Sequence, residues 1–297
     1  MGCQMSRSDY PHVVRKARAA SGNERYARPP WPGGARCVVA LTIDFDGPSF
    51  EVGIGADAAG AASAGRYPAR RGVARYLRLL EEEGVKATFF VPGYDAECYP
   101  ETVKAIHAAG HEVGAHGYLH EMVLLPQDEE RRRLQLTHDI LTGVLGRPPL
   151  GWRSPGGMKS TETLSVLRRL GYVYDCSDKD ADMPYILRLR DGEQLVELPN
   201  NTYSLDDFPF YHHSRTPVSE VRDQWMAEFS SIYAERGYFL HTVHPRGAWG
   251  SGSASRVDAV RQLLRHIKRH RDVTFVTLPE LAKWVADHSD DFEEVRA

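Results

Sequence analysis

From residue 37 onward the chain alternates short apolar runs with longer amphipathic stretches, and few folds accept that order. "VVALTID", "KATFFV", "HEVGAH", "LGWR", "YVYD", "LVELP", "YFLHTVH" and "VTFVTL" read as strands. Between them, apolar residues recur at helical spacing. "RRGVARYLRLLEEEGV" is stopped by Gly84, "YPETVKAIHAAG" starts near Pro100 and stops at Gly110, and "QDEERRRLQLTHDILTGVLG" has an acidic first turn. "STETLSVLRRLG" carries a Ser/Thr cap, and further helices are expected near 217–236 and 254–270. About eight strand segments, most followed by a helix, imply parallel strands with the helices outside, hence a barrel or an open doubly wound sheet. No GxGxxG follows the first strand, which disfavours a dinucleotide fold. One barrel-like α/β domain is expected.

That domain is expected over residues 36–288. Residues 1–35, basic and then rich in Pro and Gly ("RPPWPGGAR"), read as an N-terminal arm, and 289–297 as a C-terminal tail. The Gly- and Ala-rich residues 51–66 read as a long loop. A net charge of −3 on 297 residues argues against a nucleic-acid partner or a membrane surface. No apolar run approaches the roughly 18 residues of a membrane span. Cys3, Cys37, Cys98 and Cys176 form no CxxC pair and read as reduced thiols. With no apolar leader at the start, a cytoplasmic location is expected. "MGCQMS" formally fits a myristoylation pattern, with nothing else to support it.

In a parallel barrel the chemistry gathers at the C-terminal ends of the strands. The first strand ends at Asp44 and Asp46, the third runs into His116 and His120, the fourth ends at Arg153, the fifth at Asp175 and the seventh at His244. Each alone has an ordinary structural reading, as a turn, a chance histidine pair, an ion pair or a loop histidine. Together they are expensive groups to place beside a core unless paired or bound. His-x-x-x-His on one face of a helical turn lets two imidazoles share a cation, and one carboxylate completes a three-ligand site open to water. The second carboxylate can act as base on that water, a further histidine can protonate the leaving group, and Arg153 can hold the base carboxylate.

These residues resemble the motifs of the polysaccharide deacetylase (NodB-homology, carbohydrate esterase 4) superfamily. "TIDFDGP" resembles its TFDDGP motif, His116-Gly117-Tyr118-Leu119-His120 its metal motif, Arg153-Ser154-Pro155 its R-x-P motif, "YDCSD" its aspartate motif and "HTVHP" its final histidine motif. "GVKATFFVPG", "GHEVGAHGYLHE", "RSPGG", "DADMPY" and "LVELPNNTYSLDD" are similar to a cytosolic branch. That branch holds intracellular peptidoglycan-deacetylase-like proteins, cyclic imide hydrolases and metal-independent allantoinases. The resemblance spans about residues 36–285.

It implies a distorted (β/α) barrel of seven or eight parallel strands, often a homotetramer. It also implies a divalent metal, zinc before cobalt or manganese, on Asp46, His116 and His120. Asp44 matches the catalytic base, Arg153 the residue that tethers it, and His244 the acid, with Asp175 or Asp178 expected to tune that acid. His241 competes with His244, but the HP dipeptide and strand alternation favour His244. Three departures bear on the substrate: Phe45 separates the two aspartates, Gly156 replaces an aromatic after R-x-P, and Lys179 stands where secreted members tend to place Trp. The expected substrate is therefore a small-molecule amide, imide or ureide, or an amino sugar, rather than a long glycan. Gly156 is expected to offer an oxyanion N–H. Arg66, Tyr67 and the "LDDFPFYHH" segment, with Asp206, Asp207, His212 and His213, are expected to shape the pocket. The rival expectation is a metal-free ligand-binding or allantoinase-like homologue.

Overall fold

A computed structural model describes residues 31–296 apart from Asp57, Ala58 and Thr202. Most of the expected arm, residues 1–30, and the myristoylation pattern lie outside the described residues.

The strands are β1 (Cys37–Asp44), β2 (Thr88–Val91), β3 (Glu112–Ala115), β4 (Gly151–Trp152), β5 (Tyr174–Asp175), β6 (Tyr185–Arg188), β7 (Gln194–Glu197), β8 (Tyr238–Val243), β9 (Val273–Phe275) and β10 (Glu293–Arg296). They form one sheet in the order β10-β6-β7-β5-β4-β3-β2-β1-β8, with β9 also on β1. Every pairing is parallel except β6–β7. Among the described residues no ladder joins β8 to β10, so the mostly parallel α/β sheet is not closed by hydrogen bonds into a barrel.

Ten helices accompany the strands: α1 (Ser49–Gly53), α2 (Ala59–Gly65), α3 (Val73–Glu83), α4 (Gly93–Cys98), α5 (Pro100–Ala108), α6 (Gln127–Leu145), α7 (Thr161–Arg169), α8 (Val218–Ala234), α9 (Ala254–Ile267) and α10 (Leu278–Asp287) among the described residues. Alternation along β1 divides the core. Val39, Leu41 and Ile43 join the cluster built with α3, α5, α6, α8 and α9, whereas Val38 and Ala40 join a second cluster with Trp31 and four residues of α10. A chain buried on both faces reads as a continuous apolar run, which is why β1 is so plain in the sequence.

Three expectations need correction. The strict β–α alternation breaks at β6–β7, because the residues 189–193 that join them are too few for a parallel crossover, which takes a dozen or more. The expected C-terminal tail contains β10, which pairs with β6 and buries Val295 at 6% exposure. The expected long loop at 51–66 carries α1 and α2. Alanine there supplies helix propensity that the glycines masked.

Candidate metal centre

The first polar group comes from β1. Asp44 ends the strand, and Phe45 continues the pairing by donating its N–H to Phe90 O at 2.9 Å. Phe45 is fully buried in the helix-side cluster, so the residue that separates the two aspartates is an anchor. Asp46 then turns in the left-handed region at φ 41°, a strained conformation for an aspartate that surrounding contacts must hold. Two groups hold it. The Asp95 carboxylate accepts from Gly47 N (2.6 Å), Ser49 N (2.8 Å) and Ser49 Oγ (2.8 Å), and a Cβ on Gly47 would stand 2.8 Å from Asp95 Cγ. From the other side the buried Arg246 donates to Asp46 O (2.7 Å) and Gly47 O (3.1 Å) and pairs with Glu51.

The second element is the end of β3. His116 donates its N–H to Val91 O and its Nδ1 lies 2.8 Å from Arg153 O. With Nδ1 as donor to that carbonyl, Nε2 is left as the lone-pair nitrogen facing the aspartates. The segment to His120 is a loop, not the helical turn expected. Gly117 (φ 66°) and His120 (φ 52°) are both left-handed, and Glu121 ties the loop by accepting from Tyr118 N and Leu119 N and pairing with Arg133.

The structure brings Asp44, Asp46, His116, His120, Arg153 and His244 together. Asp46 Oδ1 is 3.6 Å from His116 Nε2, and Asp46 Oδ2 is 3.4 Å from His120 Nε2. Two ligands on a tetrahedral zinc at bond lengths near 2.1 Å stand about 3.4 Å apart, so this donor set fits a cation. Asp46 Oδ1 is buried without a hydrogen-bond partner, which is the condition of a ligand atom rather than of a structural carboxylate. Burial opposes its ionisation, yet the imidazoles of His120, His244 and His116 hold its carboxyl well below the usual range. Burial lowers the pKa of His116, keeping it in the neutral ligand form.

Asp44 lies 3.9 Å, through Oδ2, from both His116 Nε2 and His244 Nε2. Its Oδ1 is taken by Arg153 Nη1 at 2.6 Å. Arg153 is itself fixed by Thr42 Oγ1, by Cys176 O and Sγ and by the Phe90 ring 4.3 Å below. His244 follows β8, with Nε2 3.6 Å from Asp46 Oδ2. His241 points to the opposite face against Trp225, ring centroids 4.3 Å apart, as strand alternation requires.

Asp175 does not reach His244. It pairs with Lys159, which also holds Asp178 (2.7 Å) and Glu197 (3.2 Å). The group on His244 is Asp207, wholly buried, whose Oδ1 is 2.6 Å from Nδ1 and whose Oδ2 accepts the His244 N–H at 3.0 Å. The reason lies in the chain path: Asp206 bridges to Thr242 of β8, which sets the next residue against the strand end, while the charge of Asp175 is already met by Lys159. Asp206 Oδ1 stands 3.8 Å from Nδ1, and burial raises its pKa to about 7. Burial would lower the pKa of His244, but Asp207 and then Asp206 raise it to about 10. The two carboxylates thus favour the protonated form of the His244 ring.

The other expected substrate residues fall differently. Gly156 turns at φ 58° beside Met122. Arg66 is exposed at the end of α2. Tyr67 receives a hydrogen bond from Arg75 (2.6 Å), and its ring underlies Gly247, so it buttresses the segment after His244. The exposed His212 stacks on Phe208 and the exposed His213 meets it edge-on. Trp249, Phe50 and Arg246 were not foreseen. Trp249 lies 5.1 Å from His244 and 5.0 Å from Phe208, and Phe50 lies 5.5 Å from His120. The site therefore has an aromatic wall despite the glycine at 156. The signal available was "HPRGAWG", an arginine and a tryptophan directly after a strand-end histidine.

The polysaccharide deacetylase family model matches residues 35–174. A peptidoglycan deacetylase of Helicobacter pylori is 29% identical over 281 residues, 82% of this chain and 94% of that protein. A solved structure from Mycobacterium smegmatis, assigned as a polysaccharide deacetylase, is 33% identical at a TM-score of 0.81, covering 89% of this chain and 94% of that one. The Puue allantoinase structure superposes at a TM-score of 0.79 over 89% of this chain and 96% of its own, at 24% identity, and shares the fold.

Proposed function

The chain belongs to the polysaccharide deacetylase family, and on that premise we propose that it is a metal-dependent hydrolase of a non-peptide C–N bond, removing an N-acyl group or opening a small cyclic amide or imide with water. The observation that carries the reading is the buried, unpartnered Asp46 Oδ1 set between imidazoles at the spacing of tetrahedral ligands. Asp46, His116 and His120 would hold the cation, with zinc favoured over cobalt or manganese by two imidazoles and one carboxylate. A divalent cation bound there supplies Lewis-acid polarisation of a carbonyl and lowers the pKa of water.

Each chain residue then has one task. Asp44, with Oδ1 fixed on Arg153, presents Oδ2 to take the proton of the attacking water. His244, with Nδ1 held by Asp207, presents a protonated Nε2 to the departing nitrogen. An amide's departing nitrogen needs such a donor, because it leaves as an amine only once it has been protonated. The Gly156 N–H remains the proposed extra donor for the oxyanion. The donors are deeply placed, Asp46 at 1% and His116 at 2% exposure, and Phe50, Phe208 and Trp249 crowd them. Both features favour a small amide, imide or amino-sugar derivative over a long glycan. The reading includes a homotetramer in the cytoplasm. No helix among the described residues is long and apolar enough to cross a membrane.

Metal analysis of protein purified without added metal tests the reading. Stoichiometric metal in the wild type, lost in Asp46→Ala, is the expected result. Metal in neither favours the metal-free ligand-binding alternative.

A further inference from the structure

We propose that Lys179 is a specificity residue of this site and that the substrate carries an anionic oxygen group, a carboxylate or a phosphate, several atoms from the amide to be cleaved. The proposal rests on the metal-hydrolase reading above and narrows its substrate class.

An ammonium has three protons to give. Lys179 Nζ donates one to Ser177 O at 3.0 Å. The acids around it are engaged elsewhere. Asp175, Asp178 and Glu197 converge on Lys159, Asp178 and Asp180 both accept from Tyr185 Oη, and Asp206 lies beside the His244 ring. Two donors of Lys179 are therefore available to a ligand.

Their position follows from the turn after Arg153. Lys179 Nζ lies over the turn that follows Arg153, 3.5 Å from where a Cβ on Gly157 would stand. Gly157 (φ 79°) offers bare backbone beneath the ammonium, whereas the space beside Gly156 (φ 58°) is taken by Met122. Although Lys179 as a residue is exposed, the protein packed around its ammonium lowers its pKa, with the Arg153 guanidinium as second cause and Asp206 among the charges that act on it. Ser177, whose carbonyl holds the ammonium, accepts from Ser154 N through Oγ at 2.8 Å, and Arg153 Nε donates to Cys176 O at 3.1 Å, so the segment that carries Lys179 is tied to the strand end that carries Arg153. A cation partly stripped of water and set near another cation is poorly satisfied by protein alone, and a ligand anion repays that cost. The aromatic groups cluster on the His120 and His244 flank, with Phe50, Phe208 and Trp249. The site is therefore two-sided: rings for the body of a small amide on that flank, and a cation over the bare glycine turn for its charged end.

The test uses binding, so it does not require the natural substrate. Zinc-loaded full-length protein is titrated calorimetrically with four hydroxamates. They are acetohydroxamate, succinic monohydroxamate, the methyl ester of the latter and phosphonoacetohydroxamate. A charged hydrogen bond made by an ammonium corresponds to about tenfold in affinity or more. Wild type is expected to bind one of the anionic probes about tenfold more tightly than the neutral methyl ester, and which anion gains more separates carboxylate from phosphate. Lys179→Met should remove the preference while still binding the ester, and Lys179→Arg should keep part of it. Equal affinity for charged and neutral probes in wild type, or a preference that survives Lys179→Met, overturns this proposal alone. Failure of every hydroxamate to bind overturns the metal-hydrolase reading and this proposal with it.

Discussion

Asp44 and Asp46 are two residues apart, and the tasks proposed for them differ because their backbones differ. Asp44 still obeys the strand, so its side chain joins Thr42 on the face where Arg153 lies. Asp46 has left the strand for a left-handed turn that Asp95 and Arg246 enforce. Asp44→Asn should lower kcat by about 10² to 10⁴-fold, the usual worth of a general base, while metal content stays stoichiometric; full activity in a metal-loaded variant would remove Asp44 from its role. His241 offers a second test at this scale. It is buried with neither ring nitrogen hydrogen-bonded, and burial lowers its pKa to about 3. Above about pH 6.5 the ring is neutral in the folded and unfolded chain alike. As pH falls below 6.5 the unfolded chain takes up a proton that the folded chain refuses until about pH 3, so stability is lost across that window. Replacing His241 by Phe, among Trp225 and Phe239, should stabilise the protein more at pH 5 than at pH 7.5, by about 2 kcal/mol in urea unfolding. An identical gain at both pH values would mean that the ring's protonation plays no part.

The elements divide into those that carry the site and those that close the sheet. β1, β3, β4 and β8 deliver Asp44, His116, Arg153 and His244, and each is a parallel strand whose C-terminal end reaches the same edge. That is why those four residues were legible from strand ends alone. β6, β7 and β10 deliver none of them. β10 covers β6, placing Val295 among Tyr185, Leu187 and Leu195. Ending the chain at Phe292 should therefore cost about 1.5–3 kcal/mol through the lost burial of Val295 alone, seen as a lower thermal midpoint, with metal stoichiometry unchanged. An unaltered midpoint would show that β10 adds nothing to stability. The β6–β10 pairing was not legible because "EEVR" has one apolar residue in four, too little alternation to mark a strand without its partner.

At the scale of the whole molecule, the proposed tetramer is checked by light scattering of full-length protein, with an expected mass four times that of the chain; a monomer in dilute buffer would reject it. The sequence by itself determined the α/β alternation and the strand ends, and with them Asp44, His116, Arg153 and His244 of the candidate metal centre, because periodicity is local and a parallel sheet brings its C-terminal ends to one edge; Asp46 and His120 were legible by their spacing from Asp44 and His116. Tertiary structure decided what holds those residues and what surrounds them. Asp207 rather than Asp175 grips His244 because the segment before it bridges to β8. Arg246 and Asp95 pin a strained Asp46 from two distant parts of the chain. Phe50, Phe208 and Trp249 supply a wall that the residue after R-x-P does not. These partners come from loops and from helices of five or six residues such as α1 and α4, too short for periodicity to mark a residue's direction, and their contacts span up to some two hundred residues of chain. Only the packing of the folded molecule brings them together.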